Sequence, residues 1–158
     1  MKKSIKKGVG FGITSGIITT LGLIVGLYSG THSKFVVLSG ILTIAIADAM
    51  SDSLGMHLSE ELSNHVTNCK QIWESTISTF VFKFIFASIF ILPFLFLELQ
   101  KAIIFCIGLG LILLAIFSYY IARKHETNPV TVILEHVIIA IVVIIATYYV
   151  GVFVSGFG

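Results

Sequence analysis

Five long apolar segments separated by short polar stretches dominate the chain. With boundaries set at the polar clusters, the segments cover residues 9–28, 35–58, 76–97, 102–122 and 130–154. About 20 helical residues, each rising about 1.5 Å, span the roughly 30 Å hydrocarbon core of a bilayer, so each segment is long enough to cross a membrane. The alternating pattern of an outer-membrane strand is absent. The pattern predicts an all-α integral membrane protein with five transmembrane helices, forming one domain over residues 1–158.

Local signals mark some of the helix ends. Ser33 is a suitable N-cap for the second helix, and Asn128 and Pro129 supply a cap and a first-turn proline for the fifth. Pro93 predicts a kink near the far end of the third helix.

Composition and charge agree with a membrane location. Hydrophobic residues make up 56% of the chain and charged residues 11%, and the mean hydropathy is +1.03. The positive-inside rule favours a cytoplasmic N-terminus, because one side collects seven basic residues: Lys2, Lys3, Lys6, Lys7, Lys70, Arg123 and Lys124. This bias explains the net charge of +2 and gives no indication of nucleic-acid binding. We expect the cell (plasma) membrane, or a vacuolar-type membrane if the chain is eukaryotic.

Two aspartates lie inside the second apolar segment. Asp48, Asp52 and Met56 are four residues apart, so their side chains follow one helix face, with Ser59 close to it. A charge near the bilayer centre costs about 2.5–3.5 kcal/mol on insertion scales, so the pair needs a compensating partner. Carboxylates with a thioether suit Fe(II) or Mn(II) better than Ca(II) or Mg(II). The alternative is that each aspartate bonds a neighbouring Ser, Thr or Lys and only fixes helix packing.

The same spacing continues beyond the membrane. His57, Glu61, His65 and Cys69 recur at steps of four, with Glu60 beside them, and all are side chains that bind transition metals. We predict that His57, Glu60, Glu61 and His65 collect metal ions. The alternative is a solvated helix end, which is also expected to be polar.

The first segment is rich in glycine. Four glycine pairs have GxxxG spacing, at residues 8/12, 12/16, 22/26 and 26/30, which lets another helix approach closely, either within the subunit or across a dimer axis. We expect the first helices near a dimer axis, with cysteines at Gly22 or Gly26 cross-linking two subunits. Thr14 and Ser15 could line a polar pathway or bond back to the backbone.

Two further charges lie at similar predicted depth. Lys83 is in the third segment and Glu135 in the fifth. An ion pair between them, or snorkelling of Lys83 to the interface, is favoured over a proton relay formed by Glu135 and His136.

These residues carry a family resemblance. The sequence FGITSGIITTLGLIVGL at 11–27 resembles the opening helix of the vacuolar iron transporter family, and AIADAMSDSLGMHLS at 45–59 is similar to its second helix. Tyr148 and Gly151 resemble the closing segment. The chain departs from the family pattern at Ser15, where the family has aspartate, at Asp52, where it has methionine, and at Met56, where it has glutamate. Asp48 is added, and the family's Glu-rich cytoplasmic domain is missing.

The resemblance implies a homodimer in which the first two helices of each subunit line a path for divalent metal exchanged against protons. The transported ion would be Fe²⁺ or Mn²⁺, with no permanently bound cofactor and no enzymatic activity. The metal residues predicted from the spacing are Asp48, Asp52, Met56, His57, Glu60, Glu61 and His65, with Thr14, Ser15 and Ser59 lining the path. Protons and cations compete for the same carboxylate oxygens, which is the minimal chemistry of an antiporter.

Two other classes of function stay open. Membrane phosphotransferases carry a DxxDGxxAR…GxxxDxxxD array, and the spacing of Asp48 and Asp52 resembles its second half, but the first half is absent. An intramembrane aspartyl protease needs aspartates on two different helices, whereas both aspartates of this chain lie in the second segment. A non-transporting structural or regulatory subunit would use the aspartates to dock a partner helix. Reconstituted transport would separate these classes.

Overall fold

The chain forms a bundle of helices in the computed structural model, which describes residues 2–63, 68–124 and 126–157. The helices are α1 (Lys3–Thr31), α2 (Lys34–Glu61), α3 (Cys69–Ile89), α4 (Ile91–Phe96), α5 (Leu99–Lys124) and α6 (Pro129–Ser155). Five spans are long and apolar enough to cross a membrane when α3 and α4 count as one, Cys69–Phe96. No strand occurs in these described ranges. The prediction of an all-helical membrane protein with five spans is confirmed.

The helix ends extend past the apolar segments that predicted them. α1 begins at Lys3, and α3 begins at Cys69 after Asn68, whose side chain accepts a hydrogen bond from the Lys70 N–H. Bilayer thickness fixes only the apolar part of a helix, and a polar turn continues until a cap ends it. The N-caps predicted at Ser33 and Asn128 are present, accepting from the N–H groups of Val36 and Val130.

Pro93 breaks the third span. α3 ends at Ile89, and α4 begins at Ile91 and contains Pro93. Because proline has no N–H, the Ile89 carbonyl loses the helical hydrogen bond that residue 93 would donate. The third span is therefore interrupted at Phe90, although the backbone of Phe90 keeps right-handed helical angles, and both Phe90 and Phe94 are completely buried.

α1 is the central helix of the bundle. It packs against α2, α3, α5 and α6, and Ile17, Leu21 and Ile24 along it are completely buried. Its glycines divide between two neighbours. A Cβ on Gly12 would lie 2.7 Å from the Thr79 carbonyl oxygen of α3, and one on Gly22 would lie 2.7 Å from Val143 Cγ1 of α6. The glycine pairs therefore bring helices together within one subunit.

This packing supports the first of the two expected uses of the glycine pairs, contact within the subunit. Gly22 and Gly26 face Val143 and Thr147 of α6 in the same chain. GxxxG spacing indicates that a helix comes close, but it does not say which helix. The position of a dimer axis, and cross-linking at Gly22 or Gly26, stay predictions.

Candidate ion site between α1, α2 and α3

Lys83 of α3 reaches the two aspartates of α2. Its side chain is only 1% exposed, its Nζ lies 2.5 Å from Asp48 Oδ2, and the same Nζ contacts Asp52 Oδ2. Nζ also donates a hydrogen bond to Ser15 Oγ at 3.0 Å. All four side chains come from the middle of membrane-spanning helices. The structure thus joins three helices through one buried ammonium and two carboxylates.

Small residues on α1 make this approach feasible. A Cβ on Gly16 would lie 3.1 Å from the Lys83 carbonyl oxygen and 3.4 Å from Lys83 Cγ. A Cβ on Gly12, one turn earlier, would lie 2.7 Å from the Thr79 carbonyl oxygen and 3.1 Å from the Lys83 backbone nitrogen of α3. Larger side chains here would push α3 away from α1, and Lys83 would no longer reach α2.

Two hydroxyls of α1 complete the cluster. Ser15 Oγ donates to Asp52 Oδ2 at 2.7 Å while accepting from Lys83. Thr19 Oγ1 lies 3.1 Å from Asp48 Oδ2 and 2.8 Å from the Ser15 carbonyl oxygen, so its single proton has two acceptors. Each aspartate is therefore paired with one hydroxyl of α1 and with Lys83.

All of these contacts use the Oδ2 atoms and leave the Oδ1 atoms open. Within the described part of the chain, no hydrogen bond reaches Oδ1 of Asp48 or Asp52, and neither Oδ1 is among the buried oxygens without a partner. The side chains of Asp48 and Asp52 are 29% and 24% exposed. With both carboxylates ionised and Lys83 protonated, the cluster carries one net negative charge and presents free oxygens on its open side.

A groove between α1 and α2 leads to this open side. It measures about 460 Å³ and is lined by residues that include Leu27, Val36, Thr43 and Asp48. Leu27 and Val36 lie near the turn that joins α1 to α2, so the groove runs from that end of the bundle to the middle of α2. A small cation could follow it to the carboxylates.

The other residues predicted to line the path have different surroundings. Met56, one turn after Asp52, is buried, and Ser59 is exposed. Thr14 Oγ1 donates back to the Gly10 carbonyl oxygen at 2.8 Å. Across residues 2–63, 68–124 and 126–157, no group of three or more His, Cys, Asp or Glu side chains could hold a metal ion. Asp48 and Asp52 are the two acidic residues that the structure brings together at this site.

The predicted metal-collecting residues are engaged in other contacts. Glu60 is only 3% exposed, and its Oε1 is in ionic contact with Lys7 Nζ of α1 without an aligned hydrogen bond. His57 Nδ1 lies 3.0 Å from Thr76 Oγ1, and its Nε2 lies 3.5 Å from Glu61 Oε1. Glu61 is exposed. His65 lies outside the described residues.

The pairing expected between Lys83 and Glu135 is wrong, and so is the snorkelling of Lys83. α3 packs on α1 and α2, whereas α6 packs on α1 and α5, so the two charges lie on different sides of the bundle. Glu135 is exposed, and His136 Nδ1 lies 2.8 Å from Ser118 Oγ of α5. Similar depth in two helices does not determine whether those helices are neighbours, and this is why the sequence suggested the wrong partner.

Comparison with known proteins gives one family match. The VIT family model matches residues 52–152, which is more than half of the chain. The matched range contains Asp52 and Lys83 but leaves out α1 and Asp48. No curated protein matches the chain.

Proposed function

The chain belongs to the VIT family, whose members move metal ions across membranes, and on that premise we propose that it exchanges Fe²⁺ or Mn²⁺ for protons. The path would be lined by α1 and α2. Members of this family are transporters rather than enzymes, and we propose the same of this chain. The observation that carries the proposal is the pair Asp48 and Asp52, held in the middle of α2 with neither Oδ1 atom in a hydrogen bond among the described residues.

The chemistry of the pair supports a divalent ion. Two carboxylate oxygens on adjacent helical turns form one side of a coordination shell, and the groove between α1 and α2 gives an ion access to it. Met56 on the next turn would add a softer ligand, which favours Fe²⁺ or Mn²⁺ over Ca²⁺ or Mg²⁺. Protons bind the same oxygens, so arrival of a metal ion and departure of a proton are coupled.

Partial exposure of the aspartates supports a homodimer. Carboxylates facing lipid in the middle of a span are costly, so a covering partner is needed at this face. α2 presents a row of small, mostly exposed residues beside the aspartates at four-residue spacing: Ser39, Thr43, Ala47, Ser51, Gly55 and Ser59. A Cβ on Gly55 would meet nothing within 4 Å, so this row is free to pack on another helix.

A second copy of the chain fits this row best. Two α2 helices meeting along it would enclose both pairs of aspartates, away from lipid, in a path bordered by α1 and α2 of each subunit. We therefore propose that the dimer contact lies on α2, since the glycines of α1 are already used within the subunit.

Transport by reconstituted protein tests the proposed function. Wild-type protein in liposomes, with a pH-sensitive dye inside, should take up Fe²⁺ or Mn²⁺ and release protons in the opposite direction. Zn²⁺ and Co²⁺ test selectivity, and empty liposomes provide the control. Uptake without proton movement would refute the exchange. Absence of uptake of every ion would favour the other candidate, a structural subunit in which Lys83 and the aspartates only hold helices together.

A further inference from the structure

We propose that Lys83 is a tethered cation that occupies the ion site when no metal is bound and competes with the transported metal for Asp48 and Asp52. This inference rests on the proposed function, because it assigns a role within the same site. Lys83 would then set how tightly the metal binds.

The Lys83 ammonium group occupies a position that suits a bound cation. Nζ contacts Oδ2 of both aspartates and Ser15 Oγ, which is the arrangement of oxygens that a small bound cation would have. No other lysine or arginine in the described ranges forms an ion pair with either aspartate. Lys83 therefore supplies, from within the chain, the positive charge that the carboxylates require in the middle of the membrane.

Lys83 and a metal ion from the groove would approach the aspartates from different sides. Lys83 comes from α3, and its stem lies along Gly16 of α1, so its side chain is almost fully enclosed. Asp48 and Asp52 remain partly exposed, and Asp48 borders the groove between α1 and α2. A metal ion in the groove can reach the free Oδ1 atoms while Lys83 still holds Oδ2. The carboxylates thus lie between two cation positions.

The net charge of the cluster also supports competition between Lys83 and the metal. Two carboxylates and one ammonium leave a single negative charge, which a divalent ion overcompensates. With the metal on the carboxylates and Lys83 unmoved, two positive centres would face each other across the same oxygens, and they repel each other. Full coordination of the metal therefore requires the ammonium to withdraw from the aspartates. Contact with Lys83 therefore weakens binding of the metal, and binding of the metal weakens contact with Lys83.

The test compares Lys83→Met with Lys83→Arg in the full-length protein, using Mn²⁺ binding in detergent as the readout. Methionine keeps much of the stem volume but has no charge, whereas arginine keeps the charge. Competition predicts that Lys83→Met lowers the Kd for Mn²⁺ by about tenfold or more, within the usual range for coupled sites, whereas Lys83→Arg, which keeps the positive charge, does not lower it. Lys83→Met should also melt at a lower temperature than wild type. A purely structural lysine would give the opposite result for binding, with weaker Mn²⁺ binding in the less stable variant.

A second pair of variants covers a failure of Lys83→Met to fold. Asp48→Asn/Lys83→Met has the same net charge as the wild-type cluster, and its reference is Asp48→Asn. Tighter Mn²⁺ binding by the double variant than by its reference supports competition, and equal or weaker binding overturns it. The proposed function fails separately, if Mn²⁺ binding to wild type does not depend on Asp52. If wild type binds through Asp52 but removal of Lys83 does not tighten binding, only the present inference fails.

Discussion

Lys83 Nζ lies 2.5 Å from Asp48 Oδ2 and joins the middle of α3 to the middle of α2. The sequence left two kinds of partner open for the intramembrane aspartates, a transported cation or a neighbouring Ser, Thr or Lys. The structure shows contacts of the second kind, with Lys83, Ser15 and Thr19, so the cluster has a stabilising role besides any role in transport. Single substitutions can separate stability from transport, because Asp48→Asn or Asp52→Asn leaves Lys83 one carboxylate partner but removes half of the proposed metal site.

Lys83 with its two carboxylates should behave as one unit in stability measurements. Asp48→Asn or Asp52→Asn alone leaves Lys83 one carboxylate, so each should be only mildly destabilising. Together they strand a buried ammonium, which costs about 3–5 kcal/mol. Adding Lys83→Met to the double variant should recover most of that loss, since no buried charge remains. Reversible unfolding in mixed micelles measures these differences, and strictly additive losses would contradict the ion cluster.

Close packing of α6 on α1 predicts a strong effect of Gly151→Ala. The new Cβ would lie 2.3 Å from the Gly26 carbonyl oxygen and 2.0 Å from Ser29 Oγ, and a backbone carbonyl cannot move aside cheaply. We expect a loss of about 1–3 kcal/mol. Gly10→Ala is the matched control, since its Cβ meets nothing within 4 Å and alanine favours a helix. Equal melting temperatures for the two variants would contradict the packing of α6 on α1.

The proposed dimer contact predicts where cysteines cross-link. In a Cys69→Ser background, Ala47→Cys and Ser51→Cys on the small-residue row of α2 should form disulfides between subunits in membranes. Gly22→Cys should not, because α6 covers that position within the subunit. Non-reducing gel electrophoresis measures the dimer fraction. Cross-linking from Gly22 but not from α2 would reverse the assignment.

Glu60 and Glu61 are neighbours in sequence that should respond differently to substitution. Glu60 is buried and paired with Lys7, so Glu60→Gln should cost about 1–3 kcal/mol through loss of a charged contact. Glu61 is exposed, so Glu61→Gln should leave the melting temperature unchanged. If this segment collects ions, Glu61→Gln should raise the apparent KM for metal with little change in maximal rate. An unchanged KM would indicate only a solvated helix end.

The sequence predicts the spans because bilayer thickness and apolar length are local properties. The caps at Ser33 and Asn128 and the disruption at Pro93 are likewise local, and the structure has all three. The carboxylate pair on α2 also follows from four-residue spacing alone. Each of these features needs only neighbouring residues to be recognised.

Contacts between helices could not be predicted in the same way. Lys83 meets Asp48 because Gly12 and Gly16 bring α3 against α1, and this depends on the arrangement of the whole bundle. Equal depth suggested Glu135 instead. The sequence predicted Glu60 to be a metal-collecting residue outside the membrane, whereas in the fold it lies next to Lys7 of α1. An unpaired charge in a span indicates that a partner exists, and only the packing identifies that partner.

Uptake of Mn²⁺ by proteoliposomes containing Asp52→Asn tests whether Asp52 is needed to transport the metal ion. Glu98→Gln is the matched control, because it also removes one carboxylate, but an exposed one that lies just before α5 and pairs with Lys101 in the first turn of that helix. If Asp52 binds the transported metal, Asp52→Asn should remain folded and lose metal uptake, while Glu98→Gln should transport like wild type. Wild-type uptake by folded Asp52→Asn protein would contradict it and would leave Asp52 with only a packing role beside Lys83.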